Sequence, residues 1–595
     1  MTGRNNLVIR FEGSAGDGIL SMGTIIARAA ARSGFHACTL SSFLAEVRGG
    51  QSTFQLQLAR REVGSPGDSP DVVVALNHQA VDNQLCEIGP GCLMLRPADV
   101  EADVGGGMAL GVDFEAIAVQ ATGASRGKNL VALGVLGRII GLDREILNHT
   151  VQEVFAKKSA EVVEAAVGAA AAGARIGDER ADELAEFRLE PSGSPPRLLL
   201  SGNEAVGLGA LVAGVRYFSG YPITPASEIM EVLAKHLPKV GGRAVQAEDE
   251  IAAFGMCLGA AFGGKKALTA TSGPGLSLMT ELLGLAGMSE LGVVVVNVQR
   301  AGPSTGMPTK DAQGDLSLAV HGAHGEAPRV VIAPQSVADC FIDTVTAVNT
   351  AHEFQMPVIV LSSQSISHRM QTVDLPALEQ IRIYDEPLFD GDSSSGEDFA
   401  RYRQTKEGKP LPRSIPGTPN GMYRTGGLEH DETGHPTFEP EARVRMVAQR
   451  RQRMQAVRRE VSERRTRDSL RITGHPVSIV AWGGTAGAAR EAIQSLDHKG
   501  IELGYYFPRV LWPLPTDTLR ELLKSGTSRL LVCEVNDSQQ LAALIRSELA
   551  TELRELGITV AGINKDDGNP FTSSEIEHLL RPHLNADFSR IRAAV

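Results

Sequence analysis

The residues best suited to chemistry lie between Gly220 and Leu316. The chain reads YPITP at Tyr221 to Pro225, AEDEIAAFG around Glu250, and TSGPG at Thr271 to Gly275. QRAGPSTGMPT follows at Gln299 to Thr309, then QGDL at Gln313 to Leu316. Glu250 opens an apolar helical run, Ile251 to Phe262. Glu248, Asp249 and Glu250 could form an acidic first turn, which the helix dipole favours. Alternatively, one of these carboxylates turns inward and bonds a ligand nitrogen. Arg300 offers a planar fork for a carboxylate, or a surface ion pair. Thr224, between Pro222 and Pro225, offers a hydroxyl to a ligand, or caps a helix or turn. His321, His324 and Arg329 come next, in HGAHGEAPR. A histidine there could touch substrate, or be an ordinary polar loop residue.

Strands and turns must hold these groups in place. Ala267 to Ala270 and Gly292 to Val298 are short apolar runs, the second rich in valine. Such runs read as buried parallel strands. Thr271 to Gly275 then forms a turn at a strand's carboxyl end, leading into a helix from about Leu276. Ligands of open α/β sheets sit outside the carboxyl ends of the strands. The turn residues and those around Arg300 are therefore expected to line a site.

YPITP, the Glu250 helix, TSGPG and QRAGPSTGMPT with QGDL occur in that order. Together they resemble the pyrimidine-binding domain of thiamine-diphosphate enzymes. More closely, they resemble the alpha subunit of the 2-oxoacid:ferredoxin oxidoreductases. The resemblance implies a role for each residue. Glu250 would lie against the far ring nitrogen of the aminopyrimidine and favour its imino tautomer, whose nitrogen takes the thiazolium C2 proton. Tyr221, Pro222, Ile223, Ser272, Gly273 and Gly275 would line the cofactor. Thr224 and Arg300 would meet the oxoacid carboxylate and its developing charge. His321, His324 and Arg329 would be further substrate contacts.

The whole chain has 595 residues, enough for several domains. Hydrophobic residues make up 43% and charged residues 22%, an ordinary globular balance. The net charge of −12 gives no reason to expect nucleic acid or anionic membrane as a partner. No secretory signal opens the sequence and no apolar run reaches spanning length, so a cytoplasmic protein is expected. Six cysteines are scattered with no CxxC pair. That spacing argues against a zinc or iron–sulfur site held by this chain alone, and no metal ligand is assigned.

The expected fold class is α/β, in three α/β domains. Residues 1–176 form the first and 177–196 a linker rich in acid, Ser, Gly and Pro. Residues 197–380 form the pyrimidine-binding domain, starting with a strand at Leu198 to Leu200. Residues 381–475 form a loop-rich arm ending in a basic helix, and 476–595 a last α/β domain. No aromatic residues interleave the charges of the basic helix, so it reads as a solvated or interface helix. The arm is expected to reach over a neighbouring subunit. The last domain is similar to the C-terminal domain of transketolases.

In the first domain, Leu7 to Phe11 reads as a strand, followed by GSAGDGI. The spacing of Gly13, Gly16 and Gly18 misses the dinucleotide fingerprint, and no acid follows about twenty residues on. Gly16-Asp17-Gly18 is also a decoy for the thiamine magnesium motif, because no asparagine occurs between Asn6 and Asn77. The magnesium–diphosphate half must then come from another chain. GSAGDGI and EVRGGQS, the latter before an alternating FQLQL strand, resemble the gamma domain of the same oxidoreductases. That resemblance puts Gly16, Asp17, Gly18, Arg48 and Gly49 toward coenzyme A; Arg48, Gly49 and Gly50 could equally shape a simple turn.

The resulting expectation is an alpha subunit with a fused gamma domain. It would act with a beta subunit that brings Mg²⁺ and a [4Fe-4S] cluster, as an α2β2 assembly. The reaction would be coenzyme A-dependent oxidative decarboxylation of a 2-oxoacid, 2-oxoglutarate first, with reduction of ferredoxin. Alternatives are pyruvate or a branched-chain oxoacid as substrate, a non-redox thiamine lyase or transketolase half, and a non-catalytic scaffold.

Overall fold

The structure is a computed structural model. It describes residues 3–14, 16–42, 50–85, 88–374, 378–391, 399–403, 405, 408–463 and 469–584. Arg48 and Gly49 lie outside these residues. The chain divides into two compact units.

Unit one comprises residues 1–201, 368–375 and 572–574. Its sheet runs, in spatial order, Met108–Val112, Leu93–Pro97, Val72–Ala75, Asn6–Ser14, Gln51–Ala59, His36–Ser42, Met370–Val373 and Leu198–Ser201. The first four strands are parallel and the rest pair antiparallel. Leu7, Ile9 and Phe11 face the core beneath the helices Ile19–Arg32 and Lys128–Ile139. Small residues let the helix Ala160–Glu179 lie against Lys128–Ile139. A Cβ on Gly134 would stand 2.0 Å from the Ala170 carbonyl, and one on Gly173 2.0 Å from the Val131 carbonyl.

One feature departs from the sequence reading. The strand Leu198–Ser201 and its partner Met370–Val373 extend this first sheet, not the sheet of the second domain. A local apolar run carries no information about which sheet edge it joins. FQLQL alternates as read, and its polar face is buried. Gln55 donates to the Pro66 and Gly67 carbonyls at 3.1 and 2.6 Å, and Gln57 to Asn6 Oδ1 at 3.1 Å.

Unit two contains two sheets. The larger runs Val510–Trp512, Val330–Ile332, Pro357–Ser363, Val293–Gln299, Ala267–Thr271, Tyr217–Gly220 and Arg243–Gln246. It is parallel except for its first strand. Every residue of Val293–Gln299 is buried, as a strand covered on both faces must be. Each valine there contributes roughly 1.5–3 kcal/mol by leaving water. Val510–Trp512, from the final sequence domain, pairs across to Val330–Ile332. The smaller sheet runs Ser469–Arg471, Gly504–Phe507, Val477–Ala481, Arg529–Glu534 and Thr559–Asn564.

The arm folds back on its own unit. Its helix, Pro440–Glu463, buries Ala442, Met446, Ala456 and Val457. Arg453 of this helix and Arg401 of the arm both pair with Glu290, Arg401 at 3.0 Å. All three are almost fully buried. Tyr402, Tyr423, Phe389 and Phe399 build a small aromatic core in the segment that reads as loops. The basic helix is thus not simply solvated: its charged residues include one that is buried and paired.

Candidate active site

Neighbouring parallel strands of the larger sheet deliver the motif residues to one edge. Tyr217–Gly220 leads into YPITP, Arg243–Gln246 into the Glu250 helix, Ala267–Thr271 into TSGPG and Val293–Gln299 into Arg300. This is the carboxyl end of the strands, where a parallel sheet leaves room for a ligand.

Asp249, not Glu250, caps the helix Glu250–Phe262. Its Oδ1 accepts the Ala252 N–H at 2.7 Å. Glu250 is therefore released from capping, and its side chain is only 6% exposed. It lies over the TSGPG turn. A Cβ on Gly275 would sit 2.7 Å from Glu250 Oε1 and 2.0 Å from Thr271 Oγ1. Among the described residues the Glu250 carboxylate accepts no hydrogen bond. The helix after the turn begins at Gly273, three residues before the sequence reading, with Ser272 at the cap position. Ser272 Oγ is buried and has no partner among the described residues.

Arg300 is 8% exposed, and its Nη1 donates to the Thr224 carbonyl at 2.7 Å. Its Nε is buried and unpartnered. Burial pushes the guanidinium pKa down, while the nearby charge of Asp315 pulls it up. Thr224 thus meets Arg300 through its backbone. The residue itself is exposed and precedes the cap position of the helix Ser227–His236, so it does not cap that helix. Tyr221 and Pro222 are exposed and Ile223 half-buried beside it.

Several residues missed in the sequence hold this cluster. Asn203 donates to the Pro225 carbonyl at 2.9 Å and to Glu228 at 3.1 Å, fixing the YPITP loop from below. Asp315 accepts from Asn297 Nδ2 at 2.9 Å, and its N–H donates to Gln299 Oε1 at 3.1 Å. Burial raises the Asp315 carboxyl pKa; the Asn297 bond and the Arg300 charge oppose that. A Cβ on Gly273 would stand 2.7 Å from Asp315 Oδ2. The two glycines of TSGPG therefore make room for two carboxylates, Asp315 and Glu250. Gln313 joins QGDL to the smaller sheet. Its amide donates to the Trp482 carbonyl at 2.8 Å and accepts from Thr485 at 2.7 Å and Val535 N at 2.9 Å. Asn297 and Gln299 were detectable as polar residues two apart on an otherwise apolar strand, hence on one face.

Other expected site residues lie elsewhere. His321, His324 and Arg329 line a cavity of about 700 Å³ whose wall includes none of Glu250, Thr224 or Arg300. In unit one, Gly16 and Gly18 take positive φ values, 102° and 77°. Asp17 between them is engaged: Oδ2 accepts Ser14 N at 2.9 Å and Asn77 Nδ2 at 3.4 Å, and Oδ1 pairs with Lys128 at 3.2 Å. Cys38, Cys92, Cys257, Cys340 and Cys533 are buried. Burial pushes the Cys257 thiol up to about 12. Among the described residues no group of three His, Cys, Asp or Glu could hold a metal ion, and no helix is long and apolar enough to cross a membrane.

Family models match most of the chain. "Pyruvate flavodoxin/ferredoxin oxidoreductase, thiamine diP-bdg" matches residues 208–449, and "Pyruvate ferredoxin/flavodoxin oxidoreductase" residues 8–176. "Pyruvate:ferredoxin oxidoreductase core domain II" matches residues 476–576. The fold and the clustered site define a subunit of a thiamine-dependent oxidoreductase. The chain is similar to the 2-oxoglutarate oxidoreductase subunit KorA of Mycobacterium tuberculosis, 33% identical over 97% of this chain and 92% of that protein. It is 28% identical to the 2-oxoacid:ferredoxin oxidoreductase subunit alpha of a Sulfolobus species, over 96% of this chain and 95% of that one. A solved 2-oxoglutarate:ferredoxin oxidoreductase from Magnetococcus marinus, with 2-oxoglutarate, coenzyme A and succinyl-CoA bound, is 36% identical. Its TM-score is 0.89, covering 98% of this chain and 100% of that one. This chain belongs to the alpha-subunit family of 2-oxoacid:ferredoxin oxidoreductases.

The residues present fit thiamine diphosphate. Glu250, only 6% exposed and without a hydrogen-bond partner among the described residues, lies against the glycine turn. Ser272 Oγ, Asn297 Oδ1 and Arg300 Nε are buried polar atoms without partners. Buried polar groups are ordinarily satisfied, so such a cluster calls for a polar occupant.

Proposed function

We propose that this chain binds the aminopyrimidine side of thiamine diphosphate and the head of a 2-oxoacid, in an enzyme that makes acyl-coenzyme A and reduced ferredoxin. The carrying observation is Glu250, only 6% exposed, with its carboxylate over Gly275 and without a hydrogen bond among the described residues. Thiamine diphosphate, when bound, supplies the electron sink for decarboxylation. Glu250 holds a proton at a ring nitrogen, in a place where its carboxylate is not claimed by another group among the described residues. Arg300, steadied through the Thr224 carbonyl, presents the rest of its guanidinium to the oxoacid carboxylate. Thr224 adds an exposed hydroxyl next to it. Asp315 and Asn297 set the polar floor.

The site needs a second chain. Ile251 and Met256 of the Glu250 helix are 48% and 41% exposed, and Leu278 of the next helix 50%. Apolar side chains left open on the two helices that begin at the site suit a partner surface. We assign that partner as a beta subunit carrying the magnesium–diphosphate site and an iron–sulfur cluster, in an α2β2 assembly working in the cytoplasm. The glycine loop of unit one, Gly16 to Gly18, is assigned to coenzyme A. The substrate assigned is 2-oxoglutarate, supported by the likeness to the Magnetococcus marinus enzyme. Pyruvate is the second reading, because all three matching family models carry that substrate in their descriptions. Comparing kcat/KM for the two oxoacids separates them.

Glu250→Gln in the co-expressed complex tests the core of the proposal. The amide keeps size but cannot exchange a proton. Asp249 still caps the helix, so assembly and iron content should be unchanged. Turnover should fall about a hundred- to ten-thousand-fold. Wild-type turnover in that variant would remove Glu250 from the mechanism.

A further inference from the structure

The cavity between the His321–Arg329 loop and the helix Pro440–Glu463 has no role in the site above. We propose that it binds a multiply charged oxyanion carried on a compact, partly apolar body, with Arg329 as the anchoring cation.

Arg329 is 2% exposed, yet no carboxylate among the described residues pairs with it. Its Nε donates weakly to the Ala327 carbonyl at 3.4 Å, and its Nη1 is buried without a partner. Burial lowers its pKa with no neighbouring charge opposing that. Arg401 and Arg453 are as deeply buried, but they share Glu290. An unpaired buried charge is strongly unfavourable, so a fold tolerates one where an incoming group completes it.

The opposite wall is also cationic. Arg450 is held in one orientation by both oxygens of Glu429, at 3.1 and 2.9 Å. Arg443 draws on the same carboxylate, so two guanidiniums share one negative charge. Arg451 projects from the same helix, exposed and without an ion pair among the described residues. Glu281 and Glu326 line the cavity as well, and the fifth arginine, Arg458, is paired with Glu548 at 3.3 Å, so with Glu429 three carboxylates stand against four remaining arginines. Much of the remaining wall is apolar, including Met288, Met454 and Trp512, beside His321, His324 and Gln455, and the Trp512 ring packs edge-on to His321 at 6.1 Å. At about 700 Å³ the space matches small-molecule sites of roughly 300–1,000 Å³. Guanidinium forks bind phosphate and carboxylate alike, so the shared chemistry is that of an oxyanion.

The test is a titration of the full chain with inorganic pyrophosphate in one arm and citrate in the other. Calorimetry and tryptophan fluorescence report binding, since Trp512 lines the cavity and Trp482 is fully buried outside it. Saturation at one anion per chain is expected, and the tighter probe identifies phosphate or carboxylate as the recognised group. Arg329→Met should weaken binding at least tenfold. Without probe it should melt no lower than wild type, because removing an unpaired buried charge relieves its desolvation. Arg451→Gln alters an exposed residue, and should weaken binding about threefold with folding intact. Absence of saturation with both probes overturns the proposal. So does binding that neither variant weakens. Should Arg329→Met fail to fold, an Arg451→Gln affinity equal to wild type overturns it by itself. No lining residue belongs to the Glu250 cluster, so the failure of one reading leaves the other standing.

Discussion

Gly275 and Glu250 show how a single atom decides function. Glycine is normally a liability inside a helix, and alanine there is worth up to about 1 kcal/mol. At Gly275 the added Cβ would press into Thr271 Oγ1 and the Glu250 side chain. The Thr271 contact is the tightest, so the turn must shift, and the Glu250 side chain, itself within 2.7 Å, must shift with it. Gly275→Ala should therefore separate stability from activity. Overpacking of about 1–3 kcal/mol is partly offset by helix propensity, giving a small shift in melting. A displacement of Glu250 near 1 Å should cost about a hundredfold in turnover. Activity within twofold of wild type would show that Glu250 position is not critical. Gly273 stands in the same relation to Asp315, so the two glycines are linked to two different carboxylates.

At the scale of elements, buried ion pairs fasten the arm to the domain that carries the site. Glu386 of the arm accepts from His352 at 3.0 Å and from Arg413 at 3.1 Å. Burial would raise the Glu386 carboxyl, but the His352 and Arg413 bonds outweigh it and bring it from 4.5 down to about 2. A depressed acid stabilises the fold fully above its unfolded value, and that contribution disappears as pH falls through the folded value. The window is thus from 4.5 to about 2, and the contribution at most about 3 kcal/mol. Urea unfolding of wild type and Glu386→Gln should show the gap between them narrowing from about pH 6 to about pH 3. A gap that stays constant with pH would mean that the pair is not coupled to protonation. The same arm carries Arg401, which meets Glu290 beside Arg453 of the basic helix. A helix that reads as solvated from its composition is thereby anchored by one buried charge.

At the scale of the molecule, the open apolar positions on the Glu250 and TSGPG helices should decide assembly. Leu278→Asp puts a charge where a partner would exclude water, while leaving the isolated chain's core untouched. Co-purification with the beta subunit should fall sharply, and the variant alone should melt like wild type. Undiminished complex on size exclusion would place the interface elsewhere.

Much of this protein was determined by its sequence. The valine-rich run Gly292 to Val298 reads as a buried parallel strand and is one, and the motifs at Tyr221, Glu250, Thr271 and Gln299 carry the resemblance to the family. Period and turn signals act over a few residues, so they are legible in order along the chain. Tertiary structure decided what depends on distant partners. It put Leu198–Ser201 and Met370–Val373 in the first sheet, and carried Val510–Trp512 to Val330–Ile332. Asp249 became the cap, freeing Glu250, because helix registration is settled by which carboxylate reaches Ala252 N. It set His321, His324 and Arg329 in the wall of a cavity whose lining does not include Arg300, since the path of a loop depends on what it packs against. Burial gave Glu250, Arg300 and Arg329 their character, and burial belongs to the whole fold, not to any stretch of sequence.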